Sequence, residues 1–193
     1  MQAMSLPAPS LQTGRLRLRP FDDDDATDLF ALQTSAHVLR YWDAPPWSER
    51  RQADRFITAC RQMAEQGTGV RLAVDRLADG AFIGWCALNG WNPDHRRGSL
   101  GYCYDDDVWG HGYATEAAAA LLGWAFDRLE LNRVQAETDT RNVASARVLE
   151  KLGFLREGRL REDCVVNGEV SDSFVYGLIR REWRPPSEPA PAR

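Results

Sequence analysis

A strand, a glycine-containing turn and an alanine-rich helix follow one another between residues 99 and 129. This unit limits the possible folds of the chain more than any other segment. Residues 99–104 read as the strand, and Gly110 and Gly112 stand just before the alanine-rich run. A turn that opens a helix leaves backbone N–H groups unpaired, and the helix dipole adds partial positive charge there. The turn therefore suits an anionic phosphate, although a lone G-x-G also fits a plain strand–turn–helix connection.

Composition and charge bound the possible functions. The chain has 193 residues, of which 44% are hydrophobic and 27% are charged, as in globular proteins. Its longest apolar runs fall short of the roughly 20 residues that a membrane span needs. A net charge of −4 argues against a nucleic-acid-binding surface. The first 12 residues lack the basic start and apolar block of a secretory signal, so we expect a cytoplasmic protein without a membrane or nucleic-acid partner.

Cysteine and histidine spacing argues against a metal site. The cysteines form no C-x-x-C pair, and the histidines do not cluster. The residues concerned are Cys60, Cys86, Cys103, Cys164, His37, His95 and His111. We therefore expect reduced thiols and no metal.

Hydrophobic periodicity and turn residues predict seven strands and four helices. Asp79-Gly80 and Asn167-Gly168 are turn dipeptides typical of hairpins. The four aspartates at 22–25, Ser48 and Asn142 are expected to cap the first, second and fourth helices. The predicted strands are 11–20, 70–75, 81–91, 99–104, 133–138, 155–166 and 170–179, and the predicted helices are 22–33, 48–65, 115–129 and 143–152. We interpret residues 1–183 as one α/β (mixed α+β) domain and the proline-rich residues 184–193 as a disordered tail.

An aromatic loop spans residues 40–48. Two adjacent prolines exclude regular structure there, and the loop carries Tyr41, Trp42 and Trp47. Aromatic side chains on such a loop either anchor it on the core or line a binding pocket. Both interpretations stay open from the sequence.

Four motifs in a fixed order resemble the GNAT superfamily of N-acetyltransferases, and within it the RimJ/RimL type. They are residues 13–19, residues 109–117 (W-G-H-G-Y-A-T-E-A), residues 142–154 ending K-L-G-F, and Asn167-Gly168 followed by Asp172 and Glu182-Trp183. The resemblance covers residues 11–183. It implies a seven-stranded, mostly antiparallel sheet that splays at a central parallel strand pair and is flanked by four helices. It also implies transfer of an acetyl group from acetyl-CoA to a primary amine, either a protein N-terminal α-amine or a small-molecule amine.

The resemblance also implies where acetyl-CoA binds. The pyrophosphate would lie on backbone N–H groups of residues 109–114, and the pantetheine arm would lie between the splayed strands. Arg147 and Lys151 either meet the phosphates or are solvated surface charges. The implied cofactor-binding residues are Tyr102, Cys103, Tyr104, Trp109, Gly110, His111, Gly112, Tyr113, Ala114, Thr115, Asn142 and Ser145.

Two positions depart from the family pattern. Asp107 stands where the family usually has glutamine or arginine, so we expect Asp107 to point away from the phosphates. Leu149 stands where many relatives have a tyrosine that protonates the leaving thiolate. Ser145 is our first substitute for that tyrosine.

The acceptor amine must be neutral to attack the thioester, so a base is useful. Glu137 is the first candidate for this base, acting directly or through water. Glu116 and Asp139 are the next candidates. Each of these carboxylates also has a structural interpretation, as a helix-terminal charge or an ion-pair partner. Positioning alone could supply much of the rate for an α-amine.

Two classes of function remain open. The first is an amine N-acetyltransferase that uses a ternary complex, with Tyr41, Trp42 and Trp47 as walls of the acceptor site. The second is a non-catalytic module that binds or senses acyl-CoA, which the leucine at position 149 motivates. A P-loop is excluded because G-x-x-x-x-G-K-[ST] is missing. Whether the chain forms a homodimer stays open.

Overall fold

The computed structural model describes residues 6–185, which form a single eight-stranded sheet with helices on both faces. The helices are α1 Ala26–Thr34, α2 Arg51–Glu65, α3 Tyr113–Arg128 and α4 Val143–Lys151. The strands are β1 Leu11–Gln12, β2 Leu16–Pro20, β3 Val70–Arg76, β4 Phe82–Asn92, β5 Arg97–Tyr104, β6 Arg133–Asp139, β7 Leu155–Val166 and β8 Glu169–Ile179. The mixed α/β fold class is confirmed. Most of the tail predicted to be disordered, residues 186–193, lies outside the described residues.

The first predicted strand is two strands in the structure. Residues 11–20 fold into the short hairpin β1–β2, which raises the strand number from the expected seven to eight. Thr13 causes the break: its N–H donates to the Leu16 carbonyl at 2.9 Å, and its hydroxyl accepts from the Leu16 N–H at 3.0 Å. A side-chain hydroxyl that bonds its own turn competes with strand pairing.

The splay that the resemblance implies is present between β5 and β6. These strands pair in parallel only at three positions, Arg97 with Arg133, Gly98 with Val134 and Ser99 with Gln135. Beyond Ser99, β5 continues to Tyr104 while paired on its other side with β4. The edge of β5 that faces β6 is therefore left with backbone groups available to a ligand over residues 100–104.

Each face of the sheet carries its own core. Helices α3 and α4 cover one face, where Leu121, Phe126 and Leu149 pack with Leu100 and Tyr104 of β5. Helices α1 and α2 cover the other face. Because side chains alternate along a strand, β5 directs Leu100, Tyr102 and Tyr104 to the α3–α4 face and Cys103 to the opposite face.

Local signals account for most helix and turn positions. Asp22 and Asp25 form the predicted cap, here at a short 3₁₀ helix (Asp23–Asp25) that leads into α1. Ser48, expected to cap α2, does not do so. Instead the Gln52 side-chain oxygen accepts hydrogen bonds from the backbone N–H groups of residues 48 and 49, and α2 begins at Arg51. Among residues 6–185, no helix is long and apolar enough to cross a membrane.

Candidate active site

The turn before α3 is an open cradle of backbone N–H groups. Gly110 and Gly112 both have φ of +81°, a conformation that favours glycine. No heavy atom lies within 4 Å of where a Cβ at Gly110 would stand. Within the described part of the chain, no protein acceptor takes the N–H of any residue from 110 to 115. Six consecutive free N–H groups at a helix N-terminus suit an anion, so the cradle fits a pyrophosphate.

Arg15 braces this cradle from the first hairpin. Its guanidinium donates to the Glu116 carboxylate at 2.7 Å and to the His111 carbonyl at 3.1 Å, and it lies over the Tyr113 ring at 4.6 Å. Glu116 also accepts from the Thr13 hydroxyl at 2.6 Å. The Glu116 side chain is 9% exposed and fully engaged, so Glu116 organises the cradle and is not available as a base.

A cavity of about 350 Å³ extends from the cradle along β5 and α4, and we name it the cradle cavity. Its charged lining residues are Arg40, Arg147 and Lys151, and it has no carboxylate in its lining. The surface-charge interpretation of Arg147 and Lys151 is therefore incomplete, because both are exposed and also border this cavity. Three cations and free N–H groups make the cradle cavity an anion site.

A second cavity, of about 280 Å³, lies in the gap between the splayed strands, and we name it the strand cavity. Residues of β5, β6 and β7 line it, together with Asp43 of the aromatic loop. Its charged lining residues are all acidic: Asp43, Glu137, Asp139 and Asp163. The strand cavity therefore carries the opposite charge to the cradle cavity.

The two cavities share one wall. Its residues are Tyr41, Trp42, Tyr102, Asn142 and Ser145. Asn142 caps α4 by accepting the Ser145 N–H at 3.1 Å, as its sequence position predicts. The phenol oxygen of Tyr102 lies 2.9 Å from the Ser145 Oγ. A pair of bonded hydroxyl groups thus stands where the two cavities meet.

Burial controls the ionisable groups of this wall and of β5. It raises the pKa of the Tyr102 phenol well above its usual value, against a smaller opposing effect of the Ser145 hydrogen bond. Burial also raises the pKa of the Cys103 thiol to about 12. Both groups therefore stay protonated near neutral pH, which makes the Cys103 thiol a poor nucleophile.

The three candidate bases occupy different environments. Asp139 is buried, and although burial raises its pKa, hydrogen bonds from Arg141 and Ser171 outweigh that effect and lower it to about 2. Asp139 is thus a poor base. Glu116 is engaged by Arg15. Glu137 is exposed, borders the strand cavity and accepts one hydrogen bond from the Gln135 amide at 2.8 Å, so it is the carboxylate of the three that can reach a ligand.

The aromatic loop combines both roles that the sequence left open. Tyr41 and Trp42 line both cavities, and Trp42 also packs on Trp85 with ring centroids 5.6 Å apart. Trp47 borders neither cavity. Its ring packs on Phe56 of α2 at 5.6 Å, so the structure places the Trp47 side chain away from both cavities, where it anchors the loop. The sequence of a loop does not show which aromatic side chain turns inward.

His111 is a second expected contact that the structure places differently. Its ring Nδ1 lies 3.0 Å from the Trp109 carbonyl, and its ring stacks on Tyr113. The side chain is not part of the cradle-cavity lining, and only its backbone N–H belongs to the cradle. The other expected cofactor residues, from β5, the cradle and the start of α4, all line the cradle cavity.

The aspartates at 105–107 stay outside the cradle cavity, as expected for Asp107. Asp105 accepts the Asp107 N–H at 3.0 Å, and Asp106 bonds His37 Nδ1 at 2.6 Å. Their carboxylate oxygens lie within 4.8 Å of one another. A backbone cap and a hydrogen bond to a histidine thus engage two of the three carboxylates.

Several site residues were missed by sequence reasoning. Arg40 lies over the Trp109 ring at 4.7 Å, and its carbonyl accepts the Asn167 amide at 3.1 Å, which joins the aromatic loop to the β7–β8 turn. Arg15, Asp43 and Asp163 were also missed. They are charged residues on loops and edge strands, where no periodic pattern distinguishes a cavity wall from solvent.

The sequence model of the Acetyltransferase (GNAT) domain matches residues 15–155, which is most of the chain. The chain belongs to the GNAT acetyltransferase family. The uncharacterized N-acetyltransferase YoaA of Bacillus subtilis is 32% identical over 172 residues, which cover 89% of this chain and 97% of that protein. The spermidine N(1)-acetyltransferase of Escherichia coli K12 is 28% identical over 169 residues, covering 87% of this chain and 88% of that enzyme.

Solved structures confirm the GNAT fold. RimL, the ribosomal L7/L12 α-N-protein acetyltransferase, superposes with a TM-score of 0.82 at 19% identity, covering 89% of this chain and 98% of RimL. That RimL structure holds coenzyme A. This GNAT chain is thus an acyltransferase whose relatives are N-acetyltransferases, as the sequence motifs predicted.

Proposed function

We propose that this GNAT protein transfers the acetyl group of acetyl-CoA to a primary amine that carries further positive charge. The observation that carries this proposal is the opposite charge of the two cavities. Three basic residues and no carboxylate border the cradle cavity, whereas four carboxylates and no basic residue border the strand cavity. An anionic donor and a cationic acceptor would each find a complementary field and meet at the shared wall.

The cradle is the proposed binding site for the acetyl-CoA pyrophosphate. Free N–H groups from Gly110 to Thr115 would hold the pyrophosphate, and Arg147 and Lys151 would add charge along α4. Because the Asn142 oxygen is used as the α4 cap, its amide nitrogen is the part that would bond the pantetheine arm. Acetyl-CoA supplies the activated thioester, and these residues bind and orient it.

The strand cavity is the proposed binding site for the acceptor amine. Tyr41 and Trp42 give it aromatic walls, on which an alkylammonium group is stabilised by the ring faces. Asp43 and Asp163 are exposed, so they would attract a distant ammonium without a large desolvation cost. A polyamine and a basic peptide N-terminus share this chemistry, and the experiment below separates them.

Glu137 is our candidate for the base. A lysine-like amine has a pKa of about 10.4 and is almost entirely protonated at neutral pH, so it needs a proton acceptor before attack. Glu137 is exposed at the strand cavity, where it could take that proton directly or through water. Positioning of the two ligands on one shared wall would supply the rest of the rate enhancement.

A thiol-release assay tests the proposal. Purified protein is mixed with acetyl-CoA and one of three acceptors: a linear polyamine, a peptide with a free N-terminus and several lysines, or an uncharged peptide with a free N-terminus. We expect release of free coenzyme A with at least one cationic acceptor and slower release with the uncharged peptide. The faster of the two cationic acceptors identifies the source of the amine.

The same assay decides against the sensing alternative. A module that only binds acyl-CoA would bind acetyl-CoA in a calorimeter and release no thiol with any acceptor. That result would overturn the proposal of catalysis and leave the cradle assignment intact. The cytoplasmic location stays a prediction, and this assay addresses neither it nor whether the chain forms a homodimer.

A further inference from the structure

We infer that Tyr102 is a positioning residue that supplies the hydroxyl function missing at Leu149, by acting through Ser145 on the sulfur of the acyl donor. The inference deepens the proposed function and rests on it, because it concerns the leaving thiolate of the same reaction. Leu149 has no polar group, and its side chain is only 1% exposed, in the α3–α4 core. A hydroxyl must therefore come from other residues.

The geometry places one on β5. Tyr102 reaches from the splayed strand to the first turn of α4, where its phenol oxygen lies 2.9 Å from Ser145 Oγ and 3.3 Å from the Ser145 carbonyl. Both residues border both cavities. The pair stands where the thioester must lie if the donor occupies one cavity and the amine the other.

Each hydroxyl has a defined task in this pair. We assign the Tyr102 O–H as the donor in its 2.9 Å contact with Ser145 Oγ, which leaves the Ser145 hydrogen free to point into the cavities. A hydroxyl that accepts one hydrogen bond is a stronger donor of the next. Burial keeps the Tyr102 phenol protonated, so the arrangement is unchanged across the neutral range.

The reaction balances without any further reactant. The amine nitrogen forms a bond to the acetyl carbon, the carbon–sulfur bond breaks, and its electron pair goes to sulfur. The Ser145 O–H donates its hydrogen bond to that sulfur as negative charge develops there. The nitrogen passes one proton to Glu137, the proposed base, which returns it to water. Sulfur takes one proton from water and becomes the thiol, so Tyr102 and Ser145 end in their starting states.

A double-mutant cycle tests the coupling. Tyr102→Phe keeps the ring and removes only the hydroxyl, and Ser145→Ala removes its partner. We expect Tyr102→Phe to lower kcat about 10-fold with little change in the KM for acetyl-CoA. In the Ser145→Ala background, Tyr102→Phe should have no further effect. Equal kcat losses in both backgrounds, or no loss in either, would overturn the inference. Tyr176→Phe, on β8 and outside both cavities, is the matched control and should retain wild-type kcat.

A binding measurement keeps the inference testable if no acceptor is ever acetylated. Calorimetry compares coenzyme A with desulfo-coenzyme A, which has hydrogen in place of the thiol. Tyr102→Phe should weaken coenzyme A binding about 3-fold and leave desulfo-coenzyme A binding unchanged. Absence of thiol release together with this selective loss would contradict the proposed function alone. Equal effects on both ligands would contradict the role of Tyr102 alone.

Discussion

Glu116 of α3 and Arg15 of the first hairpin form an ion pair with a 2.6 Å contact, and the same guanidinium donates to the His111 carbonyl in the cradle. The pair thus joins the first hairpin to the cradle and to the start of α3, which lie 96 and 101 residues further along the chain. Its carboxylate is almost completely removed from solvent and accepts from Arg15 and Thr13. The shape of the cradle therefore depends on a contact that binds no ligand itself.

Removal of the Glu116 charge should weaken the cradle. Glu116→Gln is expected to lower acetyl-CoA affinity about 5-fold and to reduce the free energy of unfolding by about 1–2 kcal/mol, because Arg15 loses its partner. Calorimetry and chemical denaturation measure the two effects. Asp54→Asn is the matched control, since Asp54 forms an exposed ion pair with Arg50 and should change neither quantity. Unchanged acetyl-CoA affinity in Glu116→Gln would show that the Arg15–Glu116 ion pair does not shape the cradle.

The backbone of Gly112 should tolerate no branched side chain. Gly112→Val is expected to weaken acetyl-CoA binding about 10-fold or more, because φ of +81° is strained for valine and its Cβ would stand 3.6 Å from the Arg15 guanidinium that holds the cradle. Gly158→Val on the exposed strand β7 is the control, as no heavy atom lies within 4 Å of its Cβ position. Wild-type affinity by calorimetry in Gly112→Val would refute the cradle assignment.

Replacing Trp42 or Trp47 by alanine should produce two different defects, one in acceptor binding and one in stability. Trp47→Ala is expected to lower the free energy of unfolding by about 2 kcal/mol while kcat/KM stays near wild type, because the half-buried ring packs on Phe56 away from the cavities. Trp42→Ala should raise the acceptor KM, because Trp42 belongs to the shared wall. Denaturation and steady-state kinetics on both variants test this, and an acceptor KM defect in Trp47→Ala would restore it to the acceptor site.

Asp139 should confer acid-sensitive stability. Its pKa falls from a usual 3.8 to about 2 in the folded chain, so the ionised carboxylate stabilises the fold above about pH 4. That contribution, about 2 kcal/mol, is lost as pH falls through the window between those two values. The difference in unfolding free energy between wild type and Asp139→Asn should therefore shrink from pH 5 to about pH 2. A constant difference over that range would rule out the pKa shift.

Sequence patterns predicted the elements well, and the residues expected to bind the donor, apart from His111, line one cavity. The glycine turn, the Asn142 cap and the Asn167-Gly168 hairpin are local features, in which a few adjacent residues determine the backbone. Two local predictions were wrong: the first strand is split, and Ser48 does not cap α2. In both places a side chain forms hydrogen bonds within its own turn, Thr13 in the first case and Gln52 in the second.

The acceptor half could not be predicted in the same way. The acidic lining of the strand cavity comes from a loop, a central strand and an edge strand, which meet only in the folded sheet. Likewise, no spacing rule relates Tyr102 of β5 to Ser145 of α4, 43 residues away. Tertiary packing alone produces these two features.

Opposite charges in the two cavities should select an anionic donor and a cationic acceptor. The most direct test is the ratio of kcat/KM for two acceptors of equal length, a linear diamine and the amino alcohol in which a hydroxyl replaces the second amine. At low salt we predict a ratio of about 10 or more in favour of the diamine, and a smaller ratio at high salt as screening weakens the acidic lining. A ratio near one at every salt concentration would contradict the account.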